Sequence, residues 1–200
     1  MPSGGGKHPA VIVIHDNQGL NDSIRDIAKQ FADAGFVALA PDFTSRLGGN
    51  RAPDQMMQAV GQLSPNLTVQ DAKAAFAYLQ KDSDVDATKI SAVGFGWGGW
   101  RAFMLAVSVP ELYRAVVYSG ATPSQSFDSV HAPVLANYAQ FDFRVTGNAL
   151  WTEKTMAEAG KKFTYYVYPN VYHAFYAPGM QYDAEATKLA WSRTMDFLQK

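Results

Sequence analysis

Residues 10–15, AVIVIH, form an apolar, β-branched run with no polar alternation, the pattern of a strand covered on both faces. A strand of this kind needs helices above and below it, which commits the chain to a layered α/β architecture. The rest of the chain repeats the unit. In NDSIRDIAKQFADAG, Asn21 is placed to cap a helix, Ile24, Ile27, Ala28 and Phe31 recur at helical spacing, and Gly35 stops it. FVALAP (36–41) is the second strand. After the loop DFTSRLGGNRAP, DQMMQAVGQL reads as a short helix and 69–81 as a longer one. KISAVGF (89–95), RAVVYSG (114–120), APVLANYA (132–139) and KFTYYVYP (162–169) are further strands, and 98–108, 150–159 and 184–198 are helices. The expectation is one α/β domain over 1–200 with a flexible leader at 1–7. Its sheet has at least six mostly parallel strands, in spatial order 2-1-3-4-5-6, with helices on both faces. Ligands in such sheets bind beyond the carboxyl ends of the strands.

Composition narrows the function. A net charge of -1, with the 17 basic residues scattered, provides no footprint for nucleic acid or an anionic membrane. No apolar run is long enough to span a bilayer, and the N-terminal stretch has no apolar signal core. The compartment stays open between cytoplasmic and exported with a signal removed. Cysteine is absent, so disulfides, thiolate metal sites and a Cys nucleophile are excluded. The expected partner is a small-molecule substrate, and the expected state a monomer or weak dimer.

Between the third strand and the next helix lies GFGWGG (94–99). Strand, glycine-rich turn and helix is the setting of a nucleophile elbow, G-x-[S/C]-x-G, but its middle position is Gly96. The fifth strand runs into YAQFDFRV, placing Asp142 in a loop, and the sixth into YPNVYHAFY, placing His173 in a loop. Nucleophile position, acid and base in that order is the chain order of α/β-hydrolases. Here His173 would be the base, with Asp142 holding its tautomer and stabilising its cation. The backbone N–H groups of Trp97, after the elbow, and of Asn17, in the first loop HDNQG, are candidate oxyanion donors. These donors survive the loss of a side chain at residue 96. His15 ends a buried strand and is expected to be structural. His131 precedes a strand, on the wrong edge, and His8 lies in the leading tail.

The four glycines also admit a packing role, in a tight turn and a close helix–sheet approach. Gly94, Gly96 and Gly99 nearly meet G-x-G-x-x-G, but the first βα turn, where a dinucleotide fold carries that motif, has a single Gly. Trp97, Trp100, Phe141, Tyr172 and Tyr176 crowd the same strand ends, as pocket walls or as core.

PAVIVIHDNQGLND, GFVALAPDFTSRLGG, GFGWGG, YAQFDFRV, YVYPNVYHAF and YDAEATKLAWSRTMDFL together resemble the dienelactone hydrolase family, from about Lys7 onward. The resemblance implies an α/β-hydrolase fold and hydrolysis of lactones or small esters by a Cys–His–Asp triad, without metal or organic cofactor. Gly96 stands where the family has Cys, and Asp142 and His173 where it has acid and base. Asp16 matches an acidic residue, usually Glu, that controls the resting nucleophile. Arg46 matches one of two carboxylate-binding arginines, while Ala177 replaces the second. Trp100 stands where Arg is frequent. Fewer cations and more aromatics imply a larger, less anionic substrate, with Asp16 and Arg46 expected to pair. The family's leading strands before PAVIVIH are missing, which implies a shorter sheet edge. Three readings follow: a hydrolase deprived of its nucleophile, an enzyme of another class (cyclase, isomerase or lyase) using His173–Asp142 as general base, or a non-catalytic small-molecule binder.

Overall fold

The computed structural model describes residues 6–48, 51–124, 126–179 and 181–200. Of the leader at 1–7, residues 1–5 lie outside the described residues. The described elements are β1 (His8–Ile14), α1 (Asp22–Asp33), β2 (Val37–Leu39), α2 (Pro53–Gln62), α3 (Pro65–Gln80), β3 (Val85–Phe95), α4 (Trp97–Ser108), β4 (Ala115–Tyr118), β5 (Val134–Ala139), α5 (Phe143–Thr146), α6 (Ala149–Glu158), β6 (Phe163–Tyr168) and α7 (Ala184–Leu198). The six strands form one sheet in the order β2-β1-β3-β4-β5-β6, and every pairing is parallel. That is the order read from the sequence.

β1 shows why both faces are covered. Ala10, Ile12 and Ile14 join the core that contains Phe76 of α3, Phe103 of α4 and Met156 of α6. Val11 and Val13 join the opposite core, with Phe31 of α1 and Ala190 of α7. Period-two alternation sends successive side chains to two apolar layers, so the strand carries no polar face. Phe103 is fully buried, and truncating it to Ala would cost about 3–5 kcal/mol.

The differences from the sequence reading have local causes. α3 starts at Pro65 rather than near 69, because Pro is pre-organised for the first helical position. β3 starts at Val85 rather than 89, through a register irregularity between His8 and Ala10. β4 stops at Tyr118 rather than 120, because Ser119 turns to φ +47. α5, a single turn directly after Asp142, is an addition. α1 is capped as expected: the Asn21 side chain accepts from Ile24 N–H at 3.1 Å.

Candidate active site

At the carboxyl end of β3 the backbone reverses at Gly96, with φ 48 and ψ -108. An L side chain rarely adopts this conformation, so glycine relieves strain at the turn. The turn is fixed from both sides: Gly96 N–H donates to Tyr118 O at 2.8 Å, and Gly99 N–H to Gly96 O at 3.0 Å. The neighbouring glycines serve packing. A β-carbon on Gly98 would meet the Ile14 and His15 carbonyl oxygens at 2.4 Å, and one on Gly94 would meet Gly98 O at 2.1 Å. Both distances are impossible, so the start of α4 can lie directly on the sheet only with glycine there.

Two loops bring Asp142 and His173 together. Phe141 N–H donates to Val171 O at 3.0 Å, and Asn170 N–H to the Gln140 side chain at 2.8 Å, stitching the loop after β5 to the loop after β6. Val171 is buried beneath them. Asp142 is 8% exposed, and its backbone carbonyl accepts from Val145 and Thr146 at the start of α5. Across this seam Nδ1 of His173 donates to Oδ2 of Asp142. The contact sets the tautomer and leaves Nε2 as the free ring nitrogen, with no partner among the described residues.

That nitrogen faces the elbow. An ideal β-carbon on Gly96 would lie 3.2 Å from His173 Nε2, 3.1 Å from the Tyr176 hydroxyl and 3.6 Å from Asp16 Cβ. Asp16 is buried, and its Oδ1 accepts from Gln18 N–H at 2.8 Å. Burial raises the Asp16 pKa, opposed by that hydrogen bond and by His173. Burial also holds the Tyr176 hydroxyl well above its usual range, reinforced by the Asp16 and Asp142 charges, so at neutral pH it remains a donor.

His15 has the structural role expected. Its Nδ1 donates to Asp16 O at 2.7 Å, and its Nε2 accepts from Phe43 N–H at 3.3 Å. Burial lowers its pKa, keeping it neutral. Its ring stacks on Trp97 at 5.3 Å. His15 thereby anchors the first loop, whose Asn17 borders the same cleft as Trp97. Trp97 begins α4, where N–H groups have no intrahelical acceptor.

The cleft over this turn has a volume of about 360 Å³ and is lined by Asn17, Gly96, Trp97, Trp100, Arg101, Ser119, Ala121, Arg144, Val145 and His173. Gly96, His173, Asn17, Trp97 and Trp100 meet there as expected. Tyr176 and Asp16 approach from beneath Gly96. Phe141 and Tyr172 are exposed and pack on each other at 5.1 Å, outside the cleft lining. Arg46 departs from expectation. It pairs with Asp71 of α3, both partly exposed, and Asp16 makes no ion pair with it. The loop after β2 presents the Arg46 side chain to Asp71 of α3. His131 donates its N–H to Ala106 O at the opposite edge of the sheet. Among the described residues no group of His, Asp and Glu is arranged to hold a metal ion, and no helix is long and apolar enough to cross a membrane.

Sequence reasoning missed Arg101, and it set Ser119 aside as a substitute nucleophile because it is not on the elbow, although Ser119 lines the cleft. Arg101 is 6% exposed, yet no carboxylate of the described residues pairs with it. It donates to Trp97 O at 2.9 Å and Thr68 Oγ1 at 3.2 Å, and its guanidinium lies 3.4 Å from the Trp97 ring centroid. Burial lowers its pKa to about 9, which still leaves it cationic at neutral pH. An Arg one residue past a Gly-Gly-Trp turn carries no sequence signal of burial. Its apolar neighbours on α4 were the only hint.

Comparison with known proteins agrees with this geometry. A putative carboxymethylenebutenolidase from Saccharolobus solfataricus is 29% identical over 96% of this chain and 89% of its own length. A probable 2-oxo-3-(5-oxofuran-2-ylidene)propanoate lactonase from Bradyrhizobium sp. is 30% identical over 97% of this chain and 84% of its own. The crystal structure of a putative dienelactone hydrolase from Klebsiella pneumoniae superposes with a TM-score of 0.88, at 23% identity, over 99% of this chain and 89% of that one. The sheet order, the helices on both faces and these neighbours make this an α/β-hydrolase fold. The family model described as the dienelactone hydrolase family matches residues 1–200, and the chain belongs to that family.

Proposed function

We propose that this chain hydrolyses small esters or lactones by water attack directed from His173, the family's covalent step having been lost with the side chain at residue 96. One observation carries the reading: the free Nε2 of His173 lies 3.2 Å from the point where a β-carbon on Gly96 would be. The base is therefore aimed where a nucleophile belongs. In the proposed step a water molecule in that space gives its proton to Nε2 as its oxygen bonds to the substrate carbonyl carbon. Asp142 stabilises the resulting imidazolium. The carbonyl oxygen, now anionic, accepts from the N–H groups of Asn17 and Trp97. Collapse breaks the bond to the leaving oxygen, which takes the proton back from His173.

General-base assistance of this kind contributes typically about 10²–10⁴-fold. A triad lacking one member keeps roughly 10³–10⁴-fold over water from binding and oxyanion stabilisation. The expected enzyme is thus slow but saturable. The test is hydrolysis of 4-nitrophenyl acetate and of a γ-lactone by the parent and by His173→Ala. A rate in the parent that falls about 100-fold or more in the variant supports the reading. Equal rates in both would sink it and favour a non-catalytic binder. A parent inert towards esters, but with a His173-dependent proton transfer on another substrate, would favour the cyclase, isomerase or lyase reading.

A further inference from the structure

Ser119 directly follows β4 beside the elbow, for Phe95 and Tyr118 are register partners and Gly96 N–H donates to Tyr118 O. Three observations set it apart. Its backbone is at φ +47, one of two non-glycine residues with positive φ among those described. It is 1% exposed. Its Oγ is buried with no hydrogen-bond partner, and of the three such side-chain atoms among the described residues it alone belongs to a residue lining the cleft of Gly96 and His173. A strained backbone and an unsatisfied hydroxyl each oppose folding. Glycine would remove both costs, and Gly120 stands next to it as an example. A residue that costs stability twice over, inside a reactive cleft, is explained by what it does when the cleft is filled.

We propose that Ser119 is a substrate-binding residue whose hydroxyl donates a hydrogen bond to an oxygen of the bound ester or lactone. The proposal rests on the hydrolase reading of the cleft. It adds a polar anchor on the β4 side of Gly96, alongside the Trp97 and Trp100 walls. Placed there, the hydroxyl can donate to a carbonyl oxygen, which esters, lactones and lactams all present. Its partner is missing in the free protein because the substrate supplies it.

The experiment compares the parent with Ser119→Ala and Ser119→Gly. Binding of a phenyl-substituted γ-lactam, which is not turned over, is read from tryptophan fluorescence, and Tm is measured on the same samples. The expected result is about tenfold weaker lactam binding in both variants, with Tm raised in Ser119→Ala, which relieves the unsatisfied hydroxyl, and raised further in Ser119→Gly, which also relieves the backbone. A lactam affinity equal to the parent's in both variants overturns the proposal. So does a lower Tm in both, which would make the hydroxyl structural, and so does a parent that binds no lactam. The two readings fail separately. A parent without esterase activity whose lactam binding still depends on Ser119 defeats only the hydrolase reading. An active parent whose KM is unchanged by both substitutions defeats only the Ser119 proposal.

Discussion

Nε2 of His173 lies 3.2 Å from the position a β-carbon on Gly96 would occupy, although 76 residues of chain lie between the two. The Gly96 turn is held by β3 and α4, and the imidazole by Asp142. The imidazole is therefore positioned by the scaffold whether or not residue 96 carries a side chain.

Asp142→Asn should lower hydrolysis by about 10²–10⁴-fold while leaving substrate KM nearly unchanged. The amide keeps the size of the carboxylate but cannot stabilise an imidazolium. A kcat within threefold of the parent would show that the His173–Asp142 contact is only structural.

Gly96→Ala isolates the backbone cost of the elbow. The residue sits at φ 48, and the new β-carbon would meet Tyr176 Oη at 3.1 Å and His173 Nε2 at 3.2 Å. Strain of about 1–3 kcal/mol is expected, read as a lower denaturant midpoint at unchanged slope. The parent's water-directed hydrolysis should fall, because the methyl group takes the space of the attacking water and cannot itself attack.

Asp16→Asn should stabilise the protein at neutral pH and flatten its pH dependence. Burial disfavours the Asp16 carboxylate, so the folded chain keeps that proton to higher pH than the unfolded chain. Folded protein then binds more protons in the window above the ordinary carboxylate value, and stability falls as pH rises through it. Above that window the penalty is complete. Asparagine carries no charge and still accepts from Gln18 N–H. Tm curves of the two proteins should converge at acid pH and separate, with the variant higher, as pH rises to neutrality.

Arg46→Ala should be nearly silent. Its partner is Asp71 at a partly exposed position, and such pairs are worth about 0–1 kcal/mol. KM for neutral and anionic esters should stay within about twofold. A large rise confined to anionic esters would return Arg46 to the role of substrate anchor.

Much of this was legible in the chain. AVIVIH has no polar face, so the sheet had to be covered on both sides. His173 and Asp142 could be picked out because each sits one loop beyond a strand of a parallel sheet. Glycine at 94, 98 and 99 was open to two readings, and the close approach of Gly94 and Gly98 to the Gly98 and Ile14 carbonyls, and of Gly99 to Gly120 Cα, decides for packing. Ser119 was hidden because positive φ leaves no mark in a β-branched run followed by Ser-Gly. Arg101 was hidden because a buried guanidinium held by a carbonyl, a hydroxyl and an indole lacks the acidic partner that would advertise it. Arg46 misled because motif position says nothing about which way a long side chain reaches across a loop.

The central claim, that a working base faces an elbow lacking only its nucleophile, is tested most directly by Gly96→Cys, assayed on 4-nitrophenyl acetate with and without His173→Ala. The account predicts a burst of acyl-enzyme and a rate at least about 100-fold above the parent, lost again in the double variant, from a protein less stable than the parent. A folded Gly96→Cys protein with no burst and no gain in rate would contradict it.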